Sequence, residues 1–210
     1  MKENKLNTTW KSLVRKYSLN ESQEAQFRLY ADLLISWNQK FNLTAITDEA
    51  EIVSYHFDDS LKLSQLVDLN TLESIADVGA GAGFPGVPLK IMYPHLKLVL
   101  IEVNGKKVEF LNHVTQELGL DQIEVVQLDW RAFIREGQYQ VDLFCARASL
   151  QVEELVRIFK PGCVYKNAKL VYWAAQNWQA DPKFRNLIAD KFSYTVGSRN
   201  RNLVLFKQGE

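Results

Sequence analysis

An apolar run that ends in an acid and breaks into alternating glycines is the stretch best suited to chemistry: Ile75-Ala76-Asp77-Val78-Gly79-Ala80-Gly81-Ala82-Gly83-Phe84-Pro85-Gly86. Side chains on those glycines would block close approach of a ligand to the backbone. The turn is therefore built to cradle a nucleotide-like molecule, with Gly79, Ala80 and Gly81 as the expected cradle. The acid bears on which molecule. A fixed carboxylate at this range repels phosphate. S-adenosylmethionine fits better, because its sulfonium and amino groups are cationic and it carries no phosphate. A nicotinamide dinucleotide, with its pyrophosphate, fits worse.

Three further residues belong to the same chemistry. Glu102 ends an apolar run and falls about 20 residues past the turn, where an acid accepts hydrogen bonds from ribose hydroxyls. A solvated strand-end acid is the plainer alternative. Trp130, in Asp129-Trp130-Arg131, either covers a ring face of the ligand or packs on the core. Arg147 closes Cys145-Ala146-Arg147 and points into the same crevice, unless it merely pairs with a surface carboxylate.

Elements must carry these residues to one place. Residues 1–70 read as helical. Asn20 with Gln23 forms a capping box, and Phe27, Tyr30, Leu33, Leu34, Trp37 and Phe41 follow at helical spacing. A second helical stretch covers 48–67. From Ser74 short apolar runs alternate with helical segments. Strands are expected at 74–78, 97–101, 123–127, 141–145, 169–173, 192–196 and 202–206, with helices at 85–92, 105–118, 130–135, 150–159 and 177–189. Such alternation gives an α/β fold, a Rossmann-like and mostly parallel sheet covered on both faces. The last two runs, joined by Gly197 to Arg201, should pair as an antiparallel edge hairpin. The expected organisation is a helical extension, 1–70, packed on a core, 71–210. Ligands of open α/β sheets bind beyond the carboxyl ends of the strands, where the turn after the first strand lies.

Composition bounds the partners. The chain has 210 residues, 25 Lys and Arg against 25 Asp and Glu, and a net charge of zero. No whole-molecule field draws it to a polyanion, so nucleic acid would have to meet local patches. Cys145 and Cys163 lack metal-ligand spacing and read as buried free thiols; no metal site is expected. The polar start Met1-Lys2-Glu3-Asn4-Lys5 and the lack of a long apolar segment predict a cytoplasmic protein with no membrane partner. Nothing requires a dimer.

Four stretches carry a resemblance to a known family: Trp37-Asn38-Gln39-Lys40-Phe41-Asn42-Leu43-Thr44-Ala45-Ile46, His56-Phe57-Asp58-Asp59-Ser60-Leu61, the glycine turn with Phe84-Pro85-Gly86-Val87-Pro88, and Asn104-Gly105-Lys106-Lys107-Val108-Glu109-Phe110-Leu111. Weaker matches lie at Ala146-Arg147-Ala148, Lys160-Pro161-Gly162 and Arg201-Asn202-Leu203-Val204. The chain resembles the bacterial small-subunit ribosomal RNA guanine-N7 methyltransferases, the glucose-inhibited division protein B family, from about Leu29 to Lys207. The resemblance implies a class I methyltransferase fold, S-adenosylmethionine as cofactor, and methylation of a guanine N7 in small-subunit ribosomal RNA, free or in the 30S particle. It implies cofactor contacts at Gly79, Phe84, Trp130, Arg131 and Arg147; Glu102 stands where the family usually has Asp.

Guanine N7 has an in-plane lone pair and no proton at neutral pH, so no general base is needed. Catalysis reduces to alignment. Arg147, assigned to the catalytic step, is then a positioning group that holds the cofactor or a guanine edge. The base must be unpaired or extruded to be reached. His56, Lys106, Lys107 and Arg201 are the expected RNA contacts, although His56 equally reads as a satisfied buried histidine. One departure stands out. The family usually follows its fifth strand with Leu-Lys-Gly, whereas this chain has Val171-Tyr172-Trp173-Ala174-Ala175-Gln176, without lysine. A catalytically weak or inactive RNA-binding assembly factor is therefore the second reading.

Overall fold

Asn20 and Gln23 cap each other. The Asn20 side chain accepts from the Gln23 N–H at 2.8 Å, and the Gln23 side chain accepts from the Asn20 N–H at 3.1 Å. This is the box expected from the sequence, and it starts α2 (Glu21–Asn38). Before it lies α1 (Lys2–Tyr17). The structure, a computed structural model, describes residues 2–209. Phe27, Tyr30, Ala31 and Leu34 form the fully buried stripe of α2.

The helix expected over 48–67 is broken into four pieces. They are α3 (Glu49–Ile52), a π-helical turn (Val53–Asp58), α4 (Asp59–Leu61) and a 3-10 turn (Lys62–Gln65). A wider turn shifts which side chains share a face, and such turns gather at functional sites. Here His56, Asp59 and Ser60 all point inward beside Val53 and Phe57.

The sheet contains β1 (Ser74–Val78), β2 (Lys97–Ile101), β3 (Ile123–Val126), β4 (Leu143–Arg147), β5 (Lys169–Ala175), β6 (Ile188–Val196) and β7 (Arg199–Phe206). Their order is β3-β2-β1-β4-β5-β7-β6. The first five run parallel, and β7 returns antiparallel to β5 and pairs with β6 as the expected edge hairpin. Helices α5 (Gly86–Met92), α6 (Gly105–Glu117), α7 (Trp130–Glu136) and α8 (Val152–Leu155) supply the crossovers. The segment expected as a helix over 150–159 is α8 plus a 3-10 turn (Val156–Phe159).

No helix forms over 177–189. Asp181 instead caps a 3-10 turn (Pro182–Leu187), its carboxylate accepting from the Lys183 N–H at 3.0 Å, and β6 begins at Ile188. Proline is confined to the first turn of a helix, and Phe184 and Leu187 stand three apart, the period of a 3-10 turn.

Strand residues alternate between two cores. Ile75, Leu98, Leu100, Leu143, Cys145 and Val171 pack with α1, α2, α5 and α6. Ala76, Val99, Ile101, Phe144, Ala146 and Leu170 pack with α7 and α8. By this period of two, Asp77 shares the face of Ile75, and Arg147 that of Cys145. Both lean toward the N-terminal helices, which share one core with that face. Cys145 is buried and Cys163 half-buried.

Candidate active site

The strand order reverses between β1 and β4, because β2 and β3 lie on one side of β1 and β4 and β5 on the other. Crevices at such points take ligands. The glycine turn leaves β1 here. Gly79 and Gly81 both have left-handed backbones, with φ of 67° and 62°. They do different things. A Cβ on Gly79 would meet the Ser149 Cβ at 2.6 Å, so Gly79 lets the loop after β4 close on the turn. A Cβ on Gly81 would meet only the Gly79 carbonyl oxygen, at 3.8 Å, so Gly81 faces open space.

Beside the turn lies a hollow of about 400 Å³ lined by Gly79, Glu102, Val103, Lys107, Trp130 and Ser149, among others. Glu102 is held firmly. Its Oε2 accepts from the Gly81 N–H at 2.8 Å and its Oε1 from the Asn104 N–H at 2.9 Å. Each oxygen keeps a further lone pair for a hydroxyl donor. Trp130 is mostly core: its indole N–H donates to the Glu154 carbonyl at 2.8 Å, it stacks on Phe133, and only part of it reaches the hollow.

Several expected contacts are elsewhere. The Ala80 N–H donates to the Ile101 carbonyl and the Gly81 N–H to Glu102, so neither is free for a ligand. Phe84 is sandwiched between His56, at 4.3 Å, and Tyr30, at 5.3 Å, inside the core. Arg131 forms a two-pronged ion pair with Glu154 at 2.9 Å, outside the hollow, because an exposed guanidinium finds the nearest carboxylate.

Arg147 turns away from the hollow, as its strand parity requires. Its Nε meets the Asp59 carboxylate at 3.0 Å, and one Nη donates to the Tyr55 carbonyl at 2.7 Å and to His56 Nδ1 at 3.0 Å. Arginine only donates, so His56 Nδ1 accepts and its Nε2 carries the proton, which it gives to Thr44 Oγ1 at 2.9 Å. The other Nη of Arg147 is buried without a partner, as are Asp77 Oδ1 and Ser149 Oγ. These three belong to the ends of β1 and β4 and account for three of the four such atoms among the described residues.

The expected RNA contacts divide similarly. His56 is buried, and both its nitrogens are engaged, so it is an interior histidine and not a surface one. Lys107 lines the hollow, and Lys106 lies over the Phe41 ring at 5.4 Å. Arg201 is three-quarters buried and bonds Asp59 at 3.0 Å.

Asp59 is the residue that sequence reasoning missed. It is fully buried and accepts from Arg147, from Arg201 and, at 2.6 Å, from the Tyr194 hydroxyl, while its carbonyl accepts from the Trp173 indole at 3.1 Å. The signal was present: Ile52, His56, Asp59 and Leu63 recur at helical spacing, which puts a carboxylate on an apolar stripe. Ser149 carried no such signal.

Asp77 is not the fixed charge expected of it. It is buried, its Oδ2 accepts from the Gly86 N–H at 2.8 Å, and burial pushes its carboxyl up to about 7 against that bond and the Arg147 charge. A raised acid binds its proton more tightly folded than unfolded, so stability falls as pH rises from 3.8 to about 7. His56 works the other way. Burial, helped by Arg147, Arg199 and Arg201, pulls it down to about 3, so stability falls as pH drops from 6.5 toward that value. The two effects oppose each other between about pH 4 and 6.5. Asp77→Asn, which keeps an acceptor for Gly86, should therefore be the more stable protein above pH 7 and lose stability more steeply in acid. Urea unfolding across this range checks it; parallel profiles for the two proteins would refute it.

Comparisons place this geometry among known proteins. The family GidB, rRNA small subunit methyltransferase G, matches residues 23–192. The Ribosomal RNA small subunit methyltransferase G of Macrococcus caseolyticus is 40% identical over 147 residues, 69% of this chain and 61% of that protein. The protein of the same name from Staphylococcus epidermidis is 41% identical over 145 residues, 68% of this chain and 60% of its own. The chain thus spans about 60% of the length of the curated relatives it matches. Among solved structures, the delta-N METTL16 MTase domain matches with a TM-score of 0.61 and 13% identity, covering 90% of this chain and 97% of that one. MtNAS in complex with MTA and tNA gives 0.59 and 16%, covering 94% and 81%. TrmK of M. capricolum in complex with S-adenosyl-homocysteine gives 0.54 and 16%, covering 71% and 70%. At these identities the likeness is one of fold, the Rossmann-like sheet of class I methyltransferases.

Proposed function

The chain belongs to the GidB family, rRNA small subunit methyltransferase G, and from that premise we propose that it transfers a methyl group from S-adenosylmethionine to N7 of a guanine in small-subunit ribosomal RNA. The carrying observation is the built but unsatisfied polarity at the switch point. Glu102 presents two oriented oxygens to a hollow of about 400 Å³. Asp77 Oδ1, an Arg147 Nη and Ser149 Oγ are buried beside the turn with no partner. Buried polar atoms ordinarily find partners, and this set offers a guanidinium donor, a hydroxyl and a carboxyl oxygen to a polar ligand.

When bound, S-adenosylmethionine supplies a methyl carbon on sulfonium, which the N7 lone pair takes as the bond to sulfur breaks. Glu102 would hold the ribose hydroxyls, and Val103 and the exposed part of Trp130, which line the same hollow, would border the base of the cofactor. Arg147, fixed by Asp59 on the side away from the ribose hollow, would offer its one unpartnered Nη to the cofactor carboxylate or to the guanine edge there. No residue needs to remove a proton. The partner is ribosomal RNA or the small ribosomal subunit, and a ribosomal substrate sets the reaction in the cytoplasm. Among the described residues no helix is long and apolar enough to cross a membrane.

The test has two parts. S-adenosylhomocysteine should bind in calorimetry and NAD should not. With methyl-labelled cofactor, label should enter unmodified small-subunit RNA or particles and map to N7-methylguanine. Binding without label on either substrate would favour the second reading, an assembly factor, for which the missing lysine at Ala174-Ala175-Gln176 speaks.

A further inference from the structure

Two segments near the ends of the chain are basic and free of acids. From Asn4 to Tyr17 the sequence has Lys5, Lys11, Arg15 and Lys16 and no Asp or Glu; from Lys191 to Gln208 it has Lys191, Arg199, Arg201 and Lys207 and again none. In a chain of zero net charge this is a marked concentration.

The fold joins the two segments at the edge that carries the site. β7 pairs antiparallel with β5, with Arg201 opposite Ala175, so the β6–β7 turn lies beyond the carboxyl ends of the parallel strands. A hollow of about 320 Å³ separates that turn from α1, with Thr8, Ser12 and Lys16 on one wall and Gly197 on the other. A second hollow on α1 is lined by Thr8, Lys11, Ser12, Arg15 and Lys16. Lys11 and Arg15 are exposed, with no carboxylate partner among the described residues, while Lys16 is matched by Asp58 at 2.6 Å. Arg199 lies over the Tyr55 ring at 4.2 Å, and the carbonyl of Tyr55 holds Arg147 at 2.7 Å. One residue therefore links this surface to the site.

We propose that α1 and the β6–β7 turn form a platform that binds the phosphate backbone of RNA and delivers the target base toward Arg147. The proposal rests on the RNA reading above and adds where the RNA lies. Free cations interleaved with hydroxyls are the groups that bind phosphate oxygens. Such a surface supplies affinity and orientation and leaves the choice of guanine to the site. An anionic membrane is the competing partner for a basic helix. A membrane-seated helix needs an apolar face to insert, and the apolar face of α1, with Trp10 and Leu13, is already buried in the core. All of α1 and the turn lie outside the stretch matched by the family, 23–192, so the platform is argued from this chain alone.

The experiment measures binding of in vitro transcribed small-subunit ribosomal RNA across a range of KCl. Neutralising three phosphate contacts with K11Q, R15Q and R199Q together should reduce the slope of log affinity against log salt by about 2 to 3, since each contact contributes about 0.7 to 0.9. KM for RNA should rise by roughly tenfold or more by the same loss, and S-adenosylhomocysteine affinity should not change. A control variant, K160Q with K166Q and R185Q, removes exposed cations that precede β5 or β6 and should keep the wild-type slope. An unchanged slope in the platform variant, or an equal fall in the control, would overturn the proposal. So would loss of binding to anionic phospholipid vesicles with RNA affinity intact. Absence of methyl transfer by the unmodified protein is a separate readout; it would sink the enzymatic reading and leave the salt slopes interpretable.

Discussion

Asp59→Ala should cost about 3–5 kcal/mol of folding stability, the range for removing one partner of a buried ion pair, and lower the melting temperature by roughly 10 °C or more. The carboxylate is fully buried and takes hydrogen bonds from two guanidiniums and a hydroxyl. Removing it leaves Arg147 and Arg201 facing each other with nothing between. It also cuts the tie from the N-terminal helices to β4, β6 and β7 at one point. A stability loss alone would not show that Asp59 serves the site, so a companion variant is needed. Asp59→Leu combined with Arg147→Met, Arg201→Met and Tyr194→Phe replaces the whole buried cluster, both guanidiniums and the hydroxyl included, by apolar groups of similar size, an exchange often neutral or better. This combined variant should recover most of the stability in urea unfolding and still fail to transfer methyl groups. If it regained activity with stability, Arg147 would be a structural residue and its free N–H irrelevant.

How much of this was legible beforehand turns on particular residues. The parallel sheet, the edge hairpin and the α2 cap followed from apolar spacing, from the short turn at Gly197 and from the Asn20–Gln23 pair, all of them local signals. Glu102 followed from its place at a strand end, and the structure puts it at the hollow. Arg147 was legible in position and misread in direction. Counting by twos from Leu143 puts it with Cys145, on the face of the N-terminal helices, and strand parity could have said so. Asp59 required one more step, asking which cation faces a carboxylate set on an apolar helix stripe. Asp77 was misread because sequence shows an acid but not its burial. The false helix over 177–189 came from apolar residues whose spacing fits a 3-10 turn as well; the Asp181 cap and Pro182 fix where the turn starts and rule out a helix running in from 177. The hollow between α1 and the β6–β7 turn is walled by residues some 180 positions apart in sequence, and no local pattern reveals that they are neighbours.

Glu102→Ala should weaken S-adenosylhomocysteine by at least about a hundredfold in calorimetry, because hydrogen bonds to a charged acceptor contribute about 1.5–3 kcal/mol each. Two losses combine. The ribose hydroxyls lose their acceptor, and the Gly81 and Asn104 N–H groups lose theirs, which loosens the turn on one side of the hollow and the start of α6 on the other. Conservative variants separate the two. Glu102→Asp keeps both oxygens on a shorter stem and should cost the least. Glu102→Gln keeps one acceptor but turns its NH2 toward a backbone N–H, a donor facing a donor, and should fall between. A ligand lacking both ribose hydroxyls isolates the direct contact. Against it, wild type and Glu102→Ala should differ only by the loosened turn, far less than against S-adenosylhomocysteine. Equal losses for the two ligands would mean that Glu102 acts only through the backbone, as a brace between β1 and β2, and that the ribose is read by another group.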